Sequence, residues 1–161
     1  MIVVANAGPL IALAQIGRLD LLPALYGKIH IPPPVRNEVI ATGKERPGAA
    51  EVRTADWVRT IPVRDQTAVE LLQERLDLGE SAAIVLAIEL QADLLLIDEA
   101  RGRRVAETRG LRQTGTAGTL IAAKQRGLLP TVTPWLDALR FGGFHMSEEL
   151  YQTVLVLSGE S

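Results

Sequence analysis

The sequence predicts an α/β fold with a central, mainly parallel sheet flanked by helices, and three observations lead to that prediction. Two short apolar runs read as strands buried on both faces, IVVA at residues 2–5, which Asn6 follows, and DLLLID at residues 93–98, which ends in Asp98. Between the runs, apolar residues recur at three- and four-residue spacing, which is typical of helices. At 161 residues the chain has the length of one ordinary domain, so we expect a single domain over residues 1–161.

The first half of the chain alternates between these two patterns. After the first strand, LIALAQIG and LDLLPALYG are predicted helices, and each ends at a glycine, as helix C-termini often do. A weaker strand is predicted at residues 28–31. The three prolines at 32–34 lack backbone donors and suit a first helical turn, so a helix is predicted over VRNEVIAT. The glycine and proline residues at 43–48 predict a loop.

The second half repeats the alternation. A weak strand is predicted at residues 57–63, and Asp65 is the expected N-cap of a helix over TAVELLQERL. A second helix, ESAAIVLAIELQ, is expected to begin after Gly79 and to carry Glu80 in its first turn. A short strand is predicted near residues 112–114. Further helices are predicted over residues 99–109, 116–126, 133–141 and 147–157, the last with Ser147 at its start.

Composition narrows the chemistry. The chain contains no cysteine, so it can form neither a disulfide nor a thiolate zinc site, and any metal must be held by oxygen or histidine ligands. That limitation favours a hard cation. No signal peptide and no membrane span are indicated, so we expect a cytoplasmic protein without a membrane partner.

Charge is unevenly distributed along the chain. The net charge is only -2, but residues 100–126 carry seven basic residues against one acid, a local charge of +6. Such a segment beside acidic residues suits a phosphodiester substrate, because phosphates must be drawn towards carboxylates that otherwise repel them. An exposed, solvated helix face explains the same pattern equally well. Within the segment, the candidates for contact with nucleic acid are the side chains of Arg101, Arg103, Arg104, Thr114 and Thr116.

Polar residues at two strand ends are the first candidates for a site. Asn6 ends the first strand and Asp98 ends the second apolar run, so parallel strands would bring both to one edge of the sheet, where ligands of α/β proteins bind. Glu38 and Glu80 lie early in predicted helices and reach that edge only if the fold brings them there. Each also has a simpler explanation. Glu38 suits an exposed surface, Glu80 suits the positive end of a helix dipole, and Asp98 suits a helix cap.

Four segments together resemble a known family, and they are VVANAGPLIALAQIGRLDLL, IPPPVRNEVI, LGESAAIVLAIELQADLLLIDEARGRRVAETRGL and TGTAGTLIAAKQRGLL. The chain resembles the PIN-domain superfamily, in the branch of predicted nucleic-acid-binding proteins related to VapC-type toxins. The closing segment MSEELYQTVLVLSGE resembles the last helix of that branch, so the similarity extends over nearly the whole chain.

The resemblance implies a PIN-like three-layer fold and a cluster of acids that binds Mg²⁺ or Mn²⁺ for RNA hydrolysis. Transferred residue by residue, the metal-binding and catalytic positions are Asn6, Glu38, Glu80 and Asp98, with Glu99 beside them as a further metal ligand. Hard cations prefer such oxygen ligands, activate water and stabilise the charge that builds on phosphate. The resemblance also implies a homodimer and a small antitoxin protein as partner.

Asn6 departs from the general PIN pattern, in which an aspartate is expected at this position. Gly8 likewise stands where serine or threonine often supports that aspartate. Asparagine still offers a carbonyl oxygen to a metal but lacks the charge, so weaker binding of a second ion is expected. Asn6 can alternatively serve only as a helix cap.

Three hypotheses therefore stand. The first is an Mg²⁺- or Mn²⁺-dependent endoribonuclease that acts as the toxin of a toxin-antitoxin pair. The second is a catalytically weakened PIN-like protein that binds RNA or a partner. The third is another α/β phosphate enzyme, a receiver or haloacid-dehalogenase-like domain, which is disfavoured because the first strand lacks the required aspartate.

Overall fold

A computed structural model describes residues 1–40 and 46–161. Its strands are β1 (Val3–Ala5), β2 (Ile29–Ile31), β3 (Val58–Thr60), β4 (Leu94–Leu96) and β5 (Gln113–Thr114). Its helices are α1 (Ala7–Gln15), α2 (Leu21–Tyr26), α3 (Pro33–Ile40), α4 (Ala49–Thr54), α5 (Gln66–Leu72), α6 (Leu78–Glu89), α7 (Ala100–Thr108), α8 (Thr116–Gln125), α9 (Thr133–Phe141) and α10 (Glu148–Leu157).

The five strands form one wholly parallel sheet in the order β3-β2-β1-β4-β5. The chain first builds outward from β1 through β2 to β3 and then returns to add β4 and β5 on the other side. The strand order therefore reverses between β1 and β4, which is where ligands bind in folds of this kind. With the helices flanking it, the sheet confirms the predicted three-layer α/β fold.

The central strands are buried, as their apolar runs predicted. Val3, Val4 and Ala5 of β1 and Leu95 and Leu96 of β4 are fully buried in the core. Strands covered on both faces have no polar side to present, which explains why they read as continuous apolar runs. All five predicted strands are confirmed, and each is shorter than its predicted range.

Within the described residues the helix predictions are confirmed in position, with two differences, and the last two residues of the predicted VRNEVIAT helix, 41 and 42, lie outside the described residues. α6 begins at Leu78 and not after Gly79, because Asp77 caps it two residues earlier than expected. The six-residue helix α4 was not predicted, since it is short and follows a glycine and proline segment. Asp65 and Ser147 do cap α5 and α10, each accepting a hydrogen bond from a backbone amide at 3.0 Å. Of the predicted loop at 43–48, residues 43–45 lie outside the described residues.

Helix α10 is divided between core and surface. Val154 and Leu155 are buried, whereas Leu150, Val156 and Leu157 are exposed. The sequence had left open whether this segment packs in the core or forms an interface, and the structure gives it both an internal and an external apolar side. Among the described helices, none has the length and apolarity needed to cross a membrane.

Candidate active site at the carboxyl edge of the sheet

Asn6 and Asp98 lie at the point where the strand order reverses. Asn6 follows β1 directly, and Asp98 comes two residues after the end of β4. β1 and β4 pair in register from Val3 opposite Leu94 to Ala5 opposite Leu96, and the Asn6 amide continues this ladder by donating to the Leu96 carbonyl at 2.9 Å. The parallel pairing therefore brings both side chains to the carboxyl edge, as the strand ends predicted.

Asn6 stands at the N-cap position of α1, but its side chain makes no capping hydrogen bond. The residue is only 6% exposed, and its Oδ1 atom is buried without a hydrogen-bond partner among the described residues. A buried carbonyl oxygen without a donor is unfavourable by about 1–3 kcal/mol, so such atoms usually have a functional reason. The interpretation of Asn6 as a side-chain helix cap is therefore wrong.

Gly79 allows polar side chains, including that of Asn6, to approach its backbone closely. A Cβ atom placed on Gly79 would lie 3.4 Å from Asn6 Oδ1, 3.1 Å from Glu38 Oε2 and 3.6 Å from Asp77 Oδ1. Oxygens of three side chains thus converge around a residue that has no side chain of its own. Helices α3 and α6 pack against each other and bring Glu38 to this point. The packing of these helices therefore brings Glu38 to the carboxyl edge of the sheet, which the sequence alone could not show.

Glu80 also helps to cap helix α6. Its Oε1 accepts a hydrogen bond from the Asp77 amide at 3.1 Å, while Asp77 Oδ1 accepts one from the Glu80 amide at 2.7 Å. This reciprocal capping box satisfies two amides at the start of α6. Burial raises the pKa of Glu80 above its ordinary value, and the neighbouring carboxylates of Asp77 and Glu99 raise it further. The other oxygen, Oε2, would lie 3.3 Å from a Cβ on Gly102.

Asp98 is held by the start of α8. The Thr116 amide donates to Asp98 Oδ1 and the Thr116 hydroxyl donates to Asp98 Oδ2, both at 2.7 Å. Burial raises the pKa of the Asp98 carboxyl, while the two Thr116 hydrogen bonds and the positive charge of Arg103 act in the opposite direction. Gly115 permits this approach, because a Cβ there would lie only 2.5 Å from Asp98 Oδ1.

Glu38 and Glu99 complete the acidic edge. The pKa of Glu38 is raised, first by partial burial of its carboxyl and then by the charge of Asp77. Glu99 is exposed at the N-cap position of α7 and makes no capping hydrogen bond there. The charge of Glu99 acts on Glu80 and raises its pKa. The edge thus concentrates negative charge whose mutual repulsion a cation would relieve.

These residues fit a divalent hard cation in chemistry. No three His, Cys, Asp or Glu side chains within residues 1–40 and 46–161 already surround one point at metal-binding geometry. However, the unpartnered amide oxygen of Asn6 lies near carboxylate oxygens of Glu38 and Asp77 around Gly79. Amide and carboxylate oxygens are the kinds of ligand that bind Mg²⁺ and Mn²⁺. Glu80 and Asp98 each keep hydrogen bonds to protein groups, so they would join a cation only in addition to those bonds.

Of the residues predicted to contact nucleic acid, some are exposed and others are engaged with protein groups. Arg101 and Arg104 are exposed on α7. Arg103 turns the other way, donating through Nε to Gln113 Oε1 at 2.6 Å, and its Nη1 would lie 3.4 Å from a Cβ on Gly115. Thr116 is fully buried and engaged with Asp98, so it supports the acid and does not present its hydroxyl outward.

Thr114 and a broad groove adjoin Asp98 on the other side. The Thr114 hydroxyl packs against Gly118 in the first turn of α8. Together with Asp98 and Arg103, both residues line a cavity of about 740 Å³ bounded by α1, α8 and α10. Its other walls include the apolar side chains of Ile11, Ile121 and Leu157. The acidic edge is therefore open on this side.

Sequence reasoning did not identify Asp77 as a site residue, and it considered Gly115 only as part of a helix N-terminus near phosphate. The signal for Asp77 was its position three residues before Glu80, which is the spacing of a capping box. Nothing in the local sequence showed that position 115 must be a glycine, because that need depends on the position of Asp98, 17 residues earlier in the chain.

Comparison with known families supplies one match. The sequence model of a family described as a PIN domain matches residues 2–160. No curated protein matches the chain.

Proposed function

The chain belongs to the PIN-domain family, whose members are generally nucleases, and from this premise we propose that it is an Mg²⁺- or Mn²⁺-dependent endoribonuclease. The observation that carries the proposal is the buried, unpartnered Asn6 Oδ1, which shares the space around Gly79 with carboxylate oxygens of Glu38 and Asp77. Such an arrangement is unfavourable without a cation and favourable with one.

The proposed ligands are Asn6, Glu38, Glu80 and Asp98, with Glu99 at the exposed side and Asp77 as an addition from the structure. A bound divalent cation would supply positive charge towards the phosphate and lower the pKa of a coordinated water. Asn6 contributes a neutral oxygen, so the set carries less negative charge than an all-carboxylate cluster of the same size. We therefore expect metal binding in which the second ion is held more weakly than the first.

Neighbouring protein groups hold the Asp98 side chain in a fixed position. Two hydrogen bonds from Thr116 set the orientation of its carboxylate, and Arg103 places positive charge beside it. The raised pKa of Asp98 means that it holds a proton more readily than an exposed aspartate does. The same Arg103 charge would help to draw an RNA phosphate towards an edge that otherwise repels it.

We further propose that the protein is the toxin of a toxin-antitoxin pair, that it forms a homodimer, and that its partner is a small antitoxin protein. The support is its family membership together with exposed apolar side chains that suit a protein interface. These are Phe141, Leu150, Val156 and Leu157.

A second candidate function is RNA or partner binding without catalysis. It is favoured by the neutral Asn6 at the family's aspartate position and by the lack, within the described residues, of a preformed group of three acids around one point. This candidate keeps the basic segment and predicts RNA affinity that falls with salt.

Cleavage of single-stranded RNA by the purified protein decides between the two candidates. The nuclease proposal predicts products that depend on Mn²⁺ or Mg²⁺ and disappear in Asp98→Asn, which keeps the size and hydrogen-bond acceptor of the side chain. Arg59→Gln on β3, at the far edge of the sheet, is the control and should cleave normally. Cleavage by Asp98→Asn at the wild-type rate would place the activity elsewhere. RNA binding without any metal-stimulated product would favour the second candidate.

A further inference from the structure

A second cavity lies on the other side of α7 from Asp98. It has a volume of about 360 Å³ and is lined by Glu74, Arg75, Arg101, Arg104, Val105 and Thr108. We refer to it as the arginine cleft. Residues 101, 104, 105 and 108 share one helix face by their three- and four-residue spacing, and the segment before α6 closes the other wall. The Arg101 guanidinium bridges the two walls by donating to the Arg75 carbonyl at 3.2 Å.

Positive charge predominates in the arginine cleft, because three arginines and one glutamate line it. Within the described residues, none of the guanidinium groups of Arg75, Arg101 and Arg104 forms an ion pair with a carboxylate. Glu74 lines the same cavity without pairing with any of them. Three exposed cations around one concave space repel one another, and an anion in that space would relieve the repulsion.

The position of the cleft connects it with the acidic edge. α7 begins at Ala100, two residues after Asp98, so the helix that carries Arg101 and Arg104 starts at the proposed catalytic centre. Arg103, between them in sequence, lies towards Asp98 and Gln113 instead. A polyanion that crosses the first turns of α7 can therefore contact Arg103 on one side and the arginine cleft on the other.

We propose that the arginine cleft is a phosphate-binding subsite for RNA, which holds a phosphodiester of the strand away from the one that is cleaved. The proposal rests on the proposed function for the identity of the polyanion. Guanidinium groups suit this role because their fork of N–H donors matches phosphate oxygens. Arg75 thereby becomes a substrate-binding residue, although it lies outside the basic segment at 100–126.

The test measures binding and not cleavage, so that it can fail or succeed independently of the nuclease activity. A fluorescently labelled single-stranded RNA is titrated with Asp98→Asn protein, without divalent metal, at a series of salt concentrations. The cleft variant adds Arg75→Gln and Arg104→Gln. The matched control adds Arg59→Gln and Arg64→Gln, which remove the same charge from exposed positions outside the cleft. Thermal unfolding verifies that both variants are folded.

Loss of two phosphate contacts should weaken RNA binding and reduce the slope of log affinity against log salt by about 1.4, at roughly 0.7 per contact for a single strand. The control should keep the slope of its parent. A single-stranded DNA of the same sequence carries the same phosphates and should show the same loss. Equal slopes for the cleft variant and the control would overturn the subsite, and so would a loss confined to RNA, which would indicate contact with the 2′-hydroxyl.

Failure of the two proposals can be told apart. If the wild-type protein cleaves RNA but the cleft variant binds as the control does, the nuclease proposal stands and the arginine cleft is not a subsite. If no metal-stimulated cleavage occurs but the cleft variant alone loses RNA affinity, the subsite stands on a protein that binds RNA without cutting it.

Discussion

The two sides of the acidic edge differ in how their oxygens are satisfied. On the β4 side, both carboxylate oxygens of Asp98 accept hydrogen bonds from Thr116. On the β1 side, Asn6 Oδ1 is buried and has no partner in the described chain. Glu38 Oε2 and Asp77 Oδ1 lie near it around Gly79, and Asp77 Oδ1 accepts a hydrogen bond from the Glu80 amide. The protein thus satisfies both oxygens of Asp98 but supplies no partner for Asn6 Oδ1.

This difference separates two requirements of a metal-dependent site. The first requirement is that metal-binding side chains are held in a fixed orientation. Thr116 does this for Asp98 through hydrogen bonds, and such supporting residues are often as important as the metal-binding residue itself. The second requirement is an oxygen that is available to the metal. Asn6 Oδ1 is buried without a hydrogen-bond partner, which lowers the stability of the fold and is typical of positions that contact a ligand.

The largest effect is expected from Gly115→Ala. The backbone of Gly115 has φ -110° and ψ -168°, which alanine also adopts, so the only obstacle is the new Cβ at 2.5 Å from Asp98 Oδ1. Displacement of Asp98 by such an overlap should lower cleavage about 100-fold and cost about 1–3 kcal/mol of stability. Gly8→Ala is the matched control, since its Cβ would make an ordinary 3.4 Å contact with Asp98 Oδ2. Equal rates for the two variants would mean that the position of Asp98 is unimportant.

A smaller effect is expected from Thr116→Val, which removes the hydroxyl and nearly preserves the shape. The hydrogen bonds of Thr116 lower the pKa of Asp98, so loss of one should raise that pKa further. Cleavage at neutral pH should fall about tenfold, and the acid limb of the pH-rate profile should move to higher pH. Thr116→Ser restores the donor and should restore the profile. A profile that stays in place in Thr116→Val would show that Asp98 does not need its charge for cleavage.

The smallest effect is expected from Glu80→Gln, which should change the stability of the fold. The folded-state pKa of Glu80 is raised, so the native protein binds more protons than the unfolded chain and its stability falls as the pH rises above the ordinary value of 4.5. Glutamine keeps an acceptor for the Asp77 amide but removes the buried charge. Without metal, the variant should melt about 2–4 °C higher than wild type at pH 8, on the basis of about 1 kcal/mol.

The control for Glu80→Gln is the pH dependence itself. The difference in melting temperature should shrink as the pH falls through 4.5 and vanish at more acidic pH, where the Glu80 carboxyl is protonated in both the folded and the unfolded chain. A constant difference across this range would assign the effect to packing and not to charge.

The sequence predicted those parts of the site that depend on strand ends. Asn6 and Asp98 were expected at one edge because apolar runs indicate buried parallel strands, and such strands share a carboxyl end. The structure confirms this placement. The position of Glu38 was not predictable from its own helix, because it depends on how α3 packs against α6.

The partners of these residues were less accessible to prediction. Thr116 was expected to face phosphate from a helix N-terminus, yet its hydroxyl points to Asp98, and nothing in the local sequence distinguishes the two acceptors. The short helix α4 lacks the length over which periodicity can be recognised. Burial of Asn6 without a capping bond likewise appears only when α1 and α6 are in place.

The most direct test of the account is Mn²⁺ binding by isothermal titration to wild type, Asn6→Ala and Asn6→Asp. Because Asn6 Oδ1 makes no hydrogen bond within the described residues, its removal should leave the fold intact. If Asn6 is a metal ligand, Asn6→Ala should bind Mn²⁺ more weakly than wild type, and Asn6→Asp, with an added charge, should bind it more tightly. Equal affinities in all three proteins, or no binding by wild type at millimolar Mn²⁺, would contradict a metal site at Asn6.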